Sequence, residues 1–411
     1  MSRAASTSSD TGGLGLATAS VLGGVLAYVF FAIGTRTFGA DDFAGVAQVW
    51  SAWFIGAAVL TFPIQHWVIQ RLLTDGHGGA VREVLPRLTL VVLGFGLAVT
   101  AVAYAVRDQL FDSNALVYPL AAGATIVGSA AMGLTRGGLA GRNRFTATAT
   151  ILATENLVRV AFGLVVVGLG AAVGWYSLAI PFGMLLVLAW PDALRYEGPP
   201  VPGVAAFSFL GNVGGGTVIA QCLLTLGPVV LGLTGGTGAE VTALFTALAL
   251  FRAPYIVALG LGIRLSARLT ELVATGQGAQ IARIRHRMLL AGLAAMLAGG
   301  AGAAVVAPGL LRLVFGDEVD LTSAECGALA VGSLAALTTL GLTFVQMTDG
   351  AGRRILISWV VALGVGTVTM VAVPLDPLPR VVVAFLACQL AGLALMALLD
   401  ESESIAVRSA R

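Results

Sequence analysis

The sequence predicts an all-α polytopic membrane protein with about 12 transmembrane helices. It further predicts two six-helix lobes related by a pseudo-two-fold axis along the membrane normal. Three observations carry this expectation. Apolar residues make up 57% of the 411-residue chain and charged residues only 11%, with a mean hydropathy of +0.93. Soluble domains carry about 25% charged residues, so the bilayer is the solvent here. The second observation is a succession of apolar runs long enough to span, which takes about 20 residues each. The third is internal repetition. Gly39-Ala40-Asp41 returns as Gly238-Ala239-Glu240, and Leu72, Gly76, Gly78 and Arg87 return at one offset as Leu272, Gly276, Gly278 and Arg287. Ala140-Gly141-Arg142 returns as Ala351-Gly352-Arg353. A duplicated polytopic chain is the usual build of a secondary transporter.

Residues 1–13 are small and polar and predict a disordered cytoplasmic tail. Spans follow at 14–34, 44–66, 88–106, 117–135, 147–171 and 175–191, giving an N-terminal lobe over 14–191. A linker over 192–206 carries Pro199, Pro200 and Pro202, which bar a helix and stiffen the connection. The C-terminal lobe covers 207–399, with spans at 207–230, 240–263, 288–310, 324–346, 355–373 and 379–399. Gly214-Gly215-Gly216 and Pro228 interrupt the first of these. Residues 400–411 form a second cytoplasmic tail. Six spans per half is even, so both halves enter from the same side.

All 23 basic residues are arginine. With both termini cytoplasmic, most of them fall on inner segments, including Arg71, Arg82, Arg87, Arg136, Arg142, Arg144, Arg264, Arg268, Arg283, Arg285 and Arg287. The positive-inside bias therefore sets the orientation of a multi-pass protein of the plasma membrane. A net charge of +2 implies no nucleic-acid partner. Cys222, Cys326 and Cys388 lie in or beside apolar spans without metal spacing, and His66, His77 and His286 lack Cys or Glu companions. No Walker sequence is present. No cofactor and no metal are expected, and outer loops of about a dozen residues leave no room for a separate enzymatic unit.

Charges inside spans need a reason, because each costs at least about 2.5–3.5 kcal/mol at bilayer centre. Glu155 and Arg159 stand four apart in the fifth span, in the favourable order on one helix face. They form either an internal salt bridge that lets the helix insert or a cavity-facing pair that receives an anionic headgroup. Arg252 lies mid-span with no acid within a turn, which calls for an anion, a wet cavity or a bridge to another helix. Arg36 ends the first span beside Asp41 and Asp42, as an interfacial anchor or an exit-side phosphate contact. His66, between Gln65 and Gln70, is a structural residue or an ion-coupling one with Glu155. The amides Asn156, Asn212, Gln221, Gln346 and Gln389 are assigned to helix packing.

Gly138-Leu139-Ala140-Gly141-Arg142-Asn143-Arg144-Phe145, followed by Glu155 and Arg159, resembles a loop between spans 4 and 5, "Gly-x-x-x-Gly-x-x-Arg-Phe" with its Glu-x-x-x-Arg. The family that carries it is the polysaccharide transporters, or O-antigen (oligosaccharide) flippases, of the multidrug/oligosaccharidyl-lipid/polysaccharide exporter superfamily. The turn from Arg36 to Gly45 resembles that family's "Leu-Gly-Pro-x-x-Tyr-Gly", without its Pro and Tyr. The resemblance implies a non-enzymatic flippase that moves a polyprenyl-diphosphate-linked saccharide by alternating access, for cell-envelope polysaccharide biosynthesis. It implies cavity arginines that bind the phosphates, with Arg159 and Glu155 at matching motif positions and Arg252 in the matching span, and a polysaccharide polymerase or glycosyltransferases as partners; Arg36 is kept as a further substrate contact on the outer side. Two alternatives stand beside it. A multidrug or cation antiporter of the same superfamily would favour cavity acids, of which only Glu155 qualifies. A polytopic polysaccharide polymerase or glycosyltransferase would need a larger outer loop than Phe315 to Asp320 provides.

Overall fold

The computed structural model describes residues 4–74, 78–199, 214–258, 269, 272, 275, 277–348 and 352–409. Asn212, Gly276, Arg264, Arg268 and the linker beyond Pro199 lie outside the described residues. The described chain is helical throughout, as the composition requires: in a bilayer, a helix satisfies its backbone within one segment. Among the described residues, nine helices are long and apolar enough to cross a membrane, and Val173–Ala189 and Gly238–Phe251 are shorter apolar helices.

The first half comprises α1 (Ala4–Phe38), α2 (Ala40–Gly56), a π-helical turn (Ala57–Thr61), α3 (Phe62–Thr74), α4 (Gly79–Ala105), α5 (Arg107–Phe111), α6 (Val117–Gly141) and α7 (Phe145–Gly168). It closes with α8 (Val173–Ser177), α9 (Ala179–Met184) and 3₁₀ turns at Leu185–Ala189 and Pro191–Leu194. The second half comprises α10 (Gly214–Thr225), α11 (Gly227–Leu233), α12 (Gly238–Phe251), α13 (Gly278–Phe315), α14 (Ser323–Thr348), α15 (Gly352–Ala372) and α16 (Pro377–Ser409). Two expectations on the tails change. Helix α1 runs back to Ala4 and α16 runs on to Ser409, because an established helix propagates one bond per added residue past its membrane portion. The sixth expected span is broken into short pieces rather than one helix.

The chain divides into two compact units. Unit 1 is Met1–Gly214 with Thr237–Thr242, and unit 2 is Gly215–Gly236 with Ala243–Arg411. In unit 1, α6 is the central helix, packed against α2, α3, α4 and α9, while α1 packs on α7. Small residues permit this: a side chain at Gly137 would meet the Gln65 backbone, and one at Gly133 the Thr61 carbonyl. The π turn has a local cause. Pro63 offers no N–H to close the preceding turn, and Thr61 Oγ1 instead donates to Ser129 O on α6 at 2.8 Å. The Gly238 end of α12, within unit 1, rests on the first copy of the repeated turn: Ala239 N–H donates to Asp41 Oδ1 at 2.7 Å and Thr242 Oγ1 to Ala40 O at 2.6 Å.

In unit 2, α13 packs on α14, α15 on α16, and α14 on α16. Large apolar side chains point outward on α4, α13 and α15; Leu90, Val305 and Val371 are 71%, 81% and 85% exposed. In water that pattern is an aggregation hazard; in a multi-pass membrane protein it is the surface that meets lipid.

The start of the linker is tied to unit 1. Asn143, at a left-handed φ of 57°, turns the chain between α6 and α7. Arg142 then donates to Gly138 O at 3.2 Å, Ala193 O at 3.1 Å and Arg195 O. Its guanidinium lies 5.5 Å from the Tyr196 ring. Tyr196 donates its hydroxyl to Leu134 O at 2.9 Å, and Arg144 pairs with Asp192.

Candidate functional site

Helix α7 supplies the centre of the site. Glu155 and Arg159 lie on one face, one turn apart, and are 1% and 0% exposed. They form an ion pair. The Glu155 carboxylate is divided: Oε1 accepts from Arg159, and Oε2 accepts from Arg136 on α6. Arg136 is 8% exposed. Expected on an inner segment between spans, Arg136 instead lies inside α6, which continues to Gly141. The apolar, glycine-rich run Gly137 to Gly141 is the signal that would have kept it in the helix.

Arg159 is held on every side. Its Nη1 donates to Asn156 Oδ1 at 3.0 Å and its Nε to Ile180 O at 3.4 Å. Its Cζ lies 4.9 Å from the ring centroids of both Trp50 and Trp53 on α2, which are 5.4 Å from each other. Cation–π attraction of this kind strengthens when the pair is desolvated. On the α9 side, Gly183 makes the room: a Cβ there would stand 2.9 Å from Arg159 Cγ. Trp50 and Trp53, three apart on α2, carry no signal in the sequence that ties them to an arginine on another helix.

Two guanidiniums share one carboxylate, so the cluster carries an excess positive charge. It also carries excess donors. Arg136 Nε and Trp50 Nε1 are buried without a hydrogen-bond partner. A buried donor without an acceptor costs about 1–3 kcal/mol. Such a group of fixed donors and cations is chemically suited to an oxyanion, which offers several acceptors and the missing charge, and Arg binds it through two parallel hydrogen bonds.

The other expected site residues lie elsewhere. Arg252, in unit 2, follows the end of α12, is 2% exposed, and donates its Nε to Leu248 O at 2.8 Å. Arg36 is exposed in the last turn of α1 and His66 is exposed on α3. Neither is among the hydrogen-bond or ion-pair partners of Glu155 or Arg159. Gln221 bonds Tyr255, and Gln346 donates to Met396 O at 3.1 Å. Both amide atoms of Gln389 are buried without a partner, unlike the packing role expected of it. Among the described residues no cluster of three His, Cys, Asp or Glu side chains is placed to hold a metal.

No family model matches the chain. It is 28% identical over 284 residues to the uncharacterized protein Rv1510 of Mycobacterium tuberculosis (strain ATCC 25618 / H37Rv), covering 66% of this chain and 63% of that protein. It is 30% identical over 274 residues to the uncharacterized protein Mb3654 of Mycobacterium bovis (strain ATCC BAA-935 / AF2122/97), covering 62% and 60%. The chain thus spans less than two thirds of the length of these relatives. Among solved structures, the inward-facing conformation of a multidrug resistance MATE family transporter of the MOP superfamily matches with a TM-score of 0.64 at 17% identity, over 95% of this chain and 96% of that one. An outward-facing conformation of a multidrug resistance MATE family transporter matches with 0.61 at 15%, over 97% of each chain. A MOP superfamily transporter from Pyrococcus furiosus, whose binding pocket is described as having reverse polarity suggesting a different function, matches with 0.57 at 14%, over 97% and 96%. The fold is that of the MATE transporters of the MOP superfamily, in a multi-pass membrane protein.

Proposed function

We propose that this protein is a flippase that carries a polyprenyl-diphosphate-linked oligosaccharide across the plasma membrane by alternating access. One observation carries the reading: the buried cluster in unit 1 holds two arginines against one carboxylate and has donors to spare. A charge surplus inside a bundle is costly unless an anion completes it, and the diphosphate of a lipid-linked saccharide supplies that anion. The Glu-x-x-x-Arg resemblance to oligosaccharide flippases supports the same choice. So does the fold, which has been solved both inward- and outward-facing in transporters.

In this mechanism Arg159 and Arg136 neutralise the headgroup phosphates while the lipid tail stays in the bilayer. Glu155 is the counter-ion and Arg36 contacts phosphate at the outer end; Arg252, in unit 2, is by itself a further candidate phosphate contact. Glu155 and His66 are the groups proposed for ion coupling. No bond is made or broken, so no general acid, base or nucleophile is required. Glycosyltransferases and a polysaccharide polymerase would supply and consume the lipid-linked saccharide.

A multidrug antiporter is the second reading, favoured by the names of the solved neighbours. A pump for cationic drugs needs an excess of buried acid, and the cluster has the opposite sign. The test is accumulation of lipid-linked saccharide in the inner leaflet of a strain that depends on this protein. Arg159→Gln and Arg252→Gln, at normal abundance in the membrane, are expected to block flipping, with Arg252→Lys partly active because it keeps charge but loses the planar fork. Full complementation by both Gln variants would overturn the phosphate role.

A further inference from the structure

The cluster that the proposed function uses is already occupied from within. The Glu155 carboxylate sits between two guanidiniums, one oxygen to each. That is the position a bridging phosphate would take, accepting from both guanidiniums through charge-assisted hydrogen bonds. The two arginines are not equivalent. Arg159 has no exposed side-chain surface and is fixed by Asn156, the Ile180 carbonyl and two tryptophan rings. Arg136 keeps 10% of its side-chain surface, and among the described residues it has Glu155 as its polar partner and no acceptor for its Nε. Trp50 Nε1, on the ring that flanks Arg159, is a second buried donor without an acceptor. The unspent donors therefore lie on both sides of the Glu155 carboxylate: one on Arg136 itself, the other on the tryptophan that flanks Arg159.

We propose that Glu155 is a built-in competitor for a phosphate-type oxyanion: the ligand displaces it from Arg136, and Arg136 is the movable arm of the site. The inference rests on the anionic-headgroup reading for its ligand class. It adds a binding residue, Arg136, and a self-limiting feature. A ligand must break an internal pair to bind, so affinity stays modest, and an anion can leave again when the carboxylate returns. Conduction by binding that is strong enough to enter and weak enough to leave is a general requirement of translocation.

The consequence runs against the usual expectation for a binding-site carboxylate. Removing it weakens the fold and tightens the ligand. A charge-assisted hydrogen bond is worth about 1.5–3 kcal/mol, so freeing Arg136 from Glu155 raises oxyanion affinity by about tenfold or more. The experiment uses the full chain in nanodiscs of neutral lipid, with inorganic pyrophosphate as probe and thermal unfolding and equilibrium binding as readouts. Wild type is expected to bind weakly. Glu155→Gln is expected to be less stable without ligand, to bind pyrophosphate at least about tenfold more tightly, and to regain stability with it, since a ligand bound only by the folded state stabilises by mass action. Glu155→Asp, which keeps the charge but shortens the reach, is expected to fall between them, and it serves if the Gln variant fails to fold. Arg136→Gln is expected to abolish binding in either background.

Unchanged or weaker pyrophosphate binding by Glu155→Gln and Glu155→Asp would overturn the proposal, as would wild-type affinity in Arg136→Gln. A second arm places polyprenyl diphosphate, with and without saccharide, in the nanodisc. Competition with pyrophosphate supports a lipid headgroup as the source of the anion. Tight pyrophosphate binding by Glu155→Gln without such competition would leave the competitor standing and remove the lipid cargo.

Discussion

Charge arithmetic in the α6–α7 cluster makes a sharp prediction about stability. The three neutral substitutions Glu155→Gln, Arg136→Gln and Arg159→Gln each remove one charge, but they leave different remainders. Glu155→Gln leaves two buried cations without an acid; either Arg→Gln change leaves a one-to-one pair with Glu155. Breaking a buried pair by removing one member costs about 3–5 kcal/mol, mostly from the charge left behind. Losing one charge-assisted hydrogen bond while neutrality is restored costs about 1.5–3 kcal/mol. Glu155→Gln should therefore be more damaging than Arg136→Gln by about 1.5–2 kcal/mol, whereas Arg159→Gln also loses the bonds to Asn156 and the Ile180 carbonyl and both tryptophan contacts. Adding Arg159→Gln to it removes the more deeply buried of the two stranded cations and should recover part of the loss. Thermal unfolding in detergent, with denaturant unfolding as a check, measures all four variants. Equal losses in Glu155→Gln and Arg136→Gln, or strict additivity in the double variant, would refute the shared-carboxylate picture.

Other expectations follow from single contacts. Gly183→Ala places a Cβ 2.9 Å from Arg159 Cγ and from the Glu155 carbonyl oxygen; overpacking of this kind costs about 1–3 kcal/mol, whereas Gly94→Ala, inside α4 with nothing within 4 Å, should not lower the unfolding temperature. Tyr196→Phe, which loses the bond to Leu134 O, should cost about 1 kcal/mol, and Arg142→Ala should in addition speed proteolysis at residues 192–199, read by the cleavage pattern. The Asp192 carboxyl is held below its ordinary 3.8, first by its hydrogen bond from Arg144. Its small contribution is therefore present above pH 3.8 and lost as pH falls through the lowered value, so wild type and Asp192→Asn should converge in stability at the acid end of a pH series; a gap that persists there would contradict the pairing. For the orientation proposed from the arginine bias, cysteine at the exposed Glu83 or Gln277 should resist an impermeant thiol reagent in intact cells, and cysteine at the exposed Asn114 should react.

What the sequence determined by itself is what short-range physics controls. Low charge and long apolar runs force helices across a bilayer, since no other open structure satisfies its backbone there. The Glu155–Arg159 pair was legible because a helix of 3.6 residues per turn puts i and i+4 on one face. What required the tertiary structure is everything that crosses between helices. Arg136 reads as one more inner-segment arginine until α6 is seen to continue past it and to face α7, 19 residues away in sequence. Trp50, Trp53 and Gly183 each look like ordinary packing residues along their own helices. They become the walls of an arginine site only because α2 and α9 both close on α7 there. The excess of cation over acid is a property of that assembly. Periodicity fixes which side of a helix a residue occupies; which neighbour that side meets depends on close packing among all the helices at once.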